Sequence, residues 1–178
     1  FSGSLCAQQK RIQTMIKQSA TQDSIMRIGK SAFRINKDGG LLQNVRDTLT
    51  LQDTGEPKGV RIFNFKEFPS TALRQVFSKE RLIELLHNQN KGITIICIFD
   101  ASGYSQSLLF NCKYCPDITP EEFLAIEKAA KAFKFNFTYS SYSPQYHRLA
   151  YTCAFSRILQ EWNSEEPAKE KSQPVSLH

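Results

Sequence analysis

The sequence predicts an α/β or α+β fold in which a small mixed sheet of about four strands carries helices packed against it. Three observations lead there. The β-branched run Gly92-Ile93-Thr94-Ile95-Ile96-Cys97-Ile98-Phe99 ends at Asp100 and reads as a strand buried on both faces, which requires helices on each side of the sheet. Thr119-Pro120-Glu121-Glu122 joins a hydroxyl cap, a proline at the first helical position and a glutamate at the third, which together start a helix. Apolar residues make up 40% of the 178, and Phe occupies 13 positions, so one Phe-rich core is available and global disorder is excluded.

Taken in chain order, Leu5, Ile12, Met15 and Ile16 share one face at helical spacing, with Lys10, Arg11 and Lys17 around the other side. Residues 5–19 therefore read as a basic amphipathic helix. A second helical period, Ile25, Ile28, Ala32 and Ile35, runs up to the stop signal Asp38-Gly39-Gly40. The polar loop 53–59 follows, then the short β-branched and aromatic stretch Val60 to Phe65, a strand. Pro69-Ser70 and Ser78 open two helices, the second packing through Leu82, Ile83, Leu85 and Leu86. Residues 106–112 read as a strand with Leu108 and Phe110 on one face and Leu109 on the other. Phe123, Ile126, Ala130 and Phe133 continue the helix begun at Thr119, and Phe135 to Tyr139 alternates as a strand. Gln145 to Trp162 has the length and apolar content of a helix. The organisation expected is a basic helical arm over 1–40, an α/β domain over 41–162 and a disordered or extended polar tail over 163–178. Either a thioredoxin-like or a ferredoxin-like topology fits this order.

Charge is distributed unevenly. Lys10, Arg11, Lys17, Arg27, Lys30, Arg34 and Lys37 stand against Asp23 alone in the first 37 residues, so the whole net charge of +6 resides there. A neutral body with a basic arm fits a polyanionic partner: another protein subunit with an acidic surface, RNA or, less readily, an anionic membrane surface. Within the arm only Phe1 and Phe33 are available to stack on bases. No apolar run reaches the roughly 18–20 residues of a membrane-spanning helix. Phe1-Ser2-Gly3-Ser4 resembles the start left by mitochondrial presequence processing, and the first 22 residues contain no acid, as in an organellar targeting region. A mitochondrial location is the expectation, with the cytoplasm as its alternative.

The five cysteines form no secreted disulfide framework. Cys112-Lys113-Tyr114-Cys115-Pro116 holds a dithiol spacing with a lysine that favours the thiolate. Redox use requires the pair at a helix start, yet residues 116–120 intervene before the helix. Zinc binding requires two more ligands, for which His147 and Cys153 are the candidates. Plain structural cysteines are the third reading. The three histidines accompany no hydrolase, metalloprotease or paired-acid motif, and Gly39-Gly40 lacks a phosphate-loop sequel. The residues thus point away from catalysis without closing that question. The function expected is a non-catalytic accessory or structural subunit of a larger intracellular assembly, of mitochondrial or ribonucleoprotein type, docking through the basic arm. The alternative is a thioredoxin-like or metal-binding assembly factor that uses Cys112 and Cys115.

Overall fold

The computed structural model describes residues 24–35, 41–54, 60–111, 117–138 and 145–165, and the first element in them is a hairpin. Strands β1 (Ser24–Ile28) and β2 (Ser31–Ile35) pair antiparallel, closed by Ile28 opposite Ser31. The two-residue turn Gly29-Lys30 places Gly29 at φ 54°, which glycine adopts without strain. This corrects the helix expected over Ile25 to Ile35. A glycine inside a helix costs about 1 kcal/mol, whereas the hairpin turn uses it. Met26, Phe33 and Ile35 are buried and Ile25 is exposed, so strand alternation, not helical period, selects the buried side. The described part of the basic arm therefore belongs to the sheet.

The chain continues through β3 (Leu41–Asn44), a 3-10 turn (Leu51–Asp53), β4 (Arg61–Ile62), α1 (Phe68–Arg74), α2 (Lys79–His87), β5 (Gly92–Phe99) and β6 (Ser105–Asn111). Then follow α3 (Pro120–Ala132), β7 (Phe137–Thr138), β8 (His147–Ala154) and α4 (Phe155–Glu165). The main sheet has six strands in the order β1-β2-β3-β6-β5-β8, and every neighbouring pair is antiparallel. It is larger than the four-stranded mixed sheet expected. The expected strands at 60–65 and 135–139 shrink to β4 and β7, which pair with each other outside it. The connections β3 to β5 and β6 to β8 each skip one antiparallel strand, the split crossover that ferredoxin-like folds also use.

The segment read as one helix from Gln145 to Trp162 divides at Ala154. His147 to Ala154 alternates, with His147 and Cys153 buried and Arg148, Ala150 and Thr152 exposed. Gly92 lies opposite Ala154, where a β-carbon would come within 2.4 Å of the Cys153 carbonyl oxygen. At α3 the capping box forms as expected: the Thr119 hydroxyl accepts from Glu122 N–H, and the Glu122 carboxylate accepts from Thr119 N–H. Ser78 caps α2 by accepting from Arg81 N–H.

All four described helices pack on one face of the sheet, where helices on each side were expected; the helix expected over 5–19 lies outside the described residues. Ile93, Ile95, Cys97 and Phe99 of β5 and Leu108 and Phe110 of β6 join a core with Phe68, Leu82, Phe123 and Phe155 from the four helices. The fully buried aromatic side chains include Phe33, Phe77 and Phe135, so the core is Phe-rich as expected. Ile98 and Leu109 are also buried, but they lie on the other face and outside that core.

Candidate docking face

On this other face the segment after β3 lies against Ser107, the register partner of Ile98, and beside Leu109. Its anchor is the carbonyl oxygen of Leu49, which accepts from Gln43 Nε2 at 2.7 Å and from Ser107 Oγ at 3.1 Å. Asp47 helps to hold the same segment, accepting from Leu108 N–H at 2.9 Å and pairing with Lys131 of α3. Lys131 also meets Glu127, which accepts from Asn44 Nδ2. Burial opposes the Lys131 charge, but the two carboxylates outweigh it and hold its pKa above the ordinary lysine value. Each of these side chains has a partner, so the cluster acts as a brace between β3 and α3.

Among the described residues, no helix covers the rest of this sheet face. Pairing places Ile25, Arg34, Gln43, Leu109, Ile96 and Ala150 in one row across six strands. Arg27 of β1, Arg34 of β2 and Arg148 of β8 are exposed on it. The six strands contain no Asp or Glu, so no carboxylate from a strand offsets these cations. Arg34 and Arg148 lie four strand spacings apart, roughly 19 Å. A cavity of about 180 Å³ opens beside Arg34, floored by Leu41 and Leu109 and walled by Leu51, with Gln43 and Gln52 as polar rim. The aromatic strand residues Phe33, Phe99, Phe110 and Tyr151 all lie on the helical face, which leaves no base-stacking platform among the described strand positions of the open face.

Of the basic residues predicted to bind a partner, Arg27 and Arg34 lie on this face and Lys30 occupies the adjoining hairpin turn. Lys10, Arg11, Lys17 and Lys37 fall outside the described residues, as do Cys112 and Cys115. Arg148 escaped the sequence reading because its segment was taken for a helix; the alternation of 147–153 was the signal for it.

The proposed metal ligands do not converge. His147 and Cys153 share one face of β8 but stand six residues apart, roughly 20 Å along a strand. No group of three His, Cys, Asp or Glu among the described residues could hold a metal ion. Burial pushes the Cys97 thiol up to about 12 and raises that of Cys153 as well, so both remain protonated core side chains.

The fold is similar to that of a DUF5043 family protein from Bacteroides uniformis known from its crystal structure. The TM-score is 0.54 at 15% identity, over 74% of this chain and 85% of that one. At this identity the likeness shows the fold alone. The sequence matches no protein-family model and no curated protein. No described helix is long and apolar enough to cross a membrane.

Proposed function

We propose that this protein is a non-catalytic docking subunit whose open sheet face receives an acidic segment of a partner protein. The observation that carries the reading is the exposure of Arg27, Arg34 and Arg148 on a sheet whose strands hold no acid. Guanidinium groups pair with carboxylates in a planar, two-bonded geometry, and the cavity beside Arg34 offers an apolar floor for a neighbouring aliphatic side chain. A protein partner fits better than single-stranded RNA because bases need aromatic faces to stack on, and the open face presents arginines without them.

The test uses two fluorescent probes, a Glu/Leu peptide and a single-stranded RNA of equal charge, titrated against the full chain at low and high salt. Peptide binding should weaken with salt, and the variant Arg27→Ser/Arg34→Ser/Arg148→Ser should bind about tenfold or more weakly, since exposed ion pairs contribute roughly 0.2–1 kcal/mol each. An unaffected triple variant, or tighter arginine-dependent binding of the RNA, would overturn the acidic-protein reading.

A further inference from the structure

The two edges of the main sheet are built differently. At one edge β1 has five residues; at the other β8 has eight, all in continuous register with β5 on its inner side. Among the described residues, no backbone hydrogen bond reaches positions 148–154 from the outer side. Edge strands normally carry devices that block further pairing: a proline, a lysine, a bulge or an inward-pointing charge. The stretch Arg148-Leu149-Ala150-Tyr151-Thr152-Cys153-Ala154 has none of them, and its register with β5 is unbroken, whereas β5 and β6 slip between Ile98 and Phe99.

We propose that β8 pairs antiparallel with β8 of a second copy of this chain, about a two-fold axis through Ala150 and normal to the sheet. A β strand pairs with itself only where the register sets compatible side chains opposite one another. With the axis at Ala150, the smallest exposed side chain at the centre faces itself. Arg148 lies opposite Thr152 of the second copy, so the two Arg148 side chains stand roughly 13 Å apart instead of meeting. On the helical face, Leu149 lies opposite Tyr151, and both are only half-buried in one copy. The pairing thus satisfies the outer backbone groups, covers an apolar pair and avoids opposing like charges. An axis normal to the sheet also keeps both open faces on one side, which would merge two arginine-bearing surfaces into one.

Sedimentation velocity on the full chain tests this at concentrations on the order of 100 µM. The expected species has twice the 20.3 kDa chain mass. Ala150→Lys, at a position exposed in one copy, should yield a monomer with unchanged far-ultraviolet circular dichroism, because two lysines would face each other across the axis. Mixing Ala150→Lys with Ala150→Glu should restore the double mass as a heterodimer. A wild-type monomer at that concentration, an Ala150→Lys dimer, or no recovery in the mixture would overturn the proposal. It stands apart from the docking reading: the triple arginine variant should still dimerise.

Discussion

Ile98 and Phe99 are neighbours on one strand, both fully buried, yet they are buried by different means. Phe99 enters the helical face, with ring centroids 5.2 Å from Phe135 and 5.1 Å from Phe137. Ile98 faces the other way, on the side where a segment of irregular chain is anchored through Leu49 and Asp47 to the neighbouring strand β6. Two faces of one sheet therefore have two kinds of cover among the described residues: a packed layer of helices, and a strap over part of a surface that holds exposed arginines. The first kind supplies most of the stability through apolar contact. The second leaves three arginines exposed, which the proposed docking requires and a face fully covered by helices could not present.

Phe99→Ala should produce the largest effect, a loss of about 3–5 kcal/mol, since the surrounding rings cannot close the cavity. Ile98→Ala should cost less, about 2 kcal/mol, because among the described residues its face carries no packed helical layer to hold the space open. Arg34→Ser, exposed on the same face, should move stability by no more than about 0.5 kcal/mol. Urea denaturation of the three variants checks the order, and an Ile98→Ala loss equal to that of Phe99→Ala would show that the two covers are equally rigid.

A pH titration sharpens the same contrast from the helical side. His147 packs against Phe99 and Phe137, and burial lowers its pKa from 6.5. The unfolded chain then takes up the His147 proton at a higher pH than the folded one. This contribution to stability is complete above about pH 6.5 and is lost as the pH falls below it. His147→Phe keeps the ring contacts and removes the titration, so its unfolding midpoint should drop less than that of the wild type between pH 7.5 and 5.5. Parallel curves would mean that other groups govern the acid side.

Helix starts and the buried strand were legible in the sequence because each depends on neighbours in the chain. Thr119, Pro120 and Glu122 cap α3 within one turn, and the run at 92–99 has only one plausible backbone. The hairpin at 24–35 was not legible because Ile25, Ile28, Ala32 and Ile35 also satisfy a helical period; only pairing with β3 decides for the strand. β8 was hidden for a related reason. It passes directly from Ala154 into Phe155 of α4 without glycine or proline, so an alternating segment and an amphipathic helix read as one long element. The proposed docking face depends on both of these strands. Arg27 and Arg34 could be singled out by charge, but joining them to Arg148 requires the strand order, which no local pattern contains.

The strap itself offers the smallest and most local prediction. Ser107 is fully buried on the open side, and its hydroxyl donates to the Leu49 carbonyl oxygen that Gln43 Nε2 also reaches. Ser107→Ala removes one of two donors and leaves the acceptor still satisfied, so the global loss should be modest, about 1 kcal/mol. Its effect should concentrate in amide hydrogen exchange. Amides of residues 49–53 should exchange faster, while those of β5 that face the helical layer keep their protection, because a local opening of the strap does not require the helices to separate. Faster exchange spread evenly through β5 and α3 would mean that the strap and the helical layer unfold as one unit, and that the open face is less independent of the core than its sparse anchoring implies.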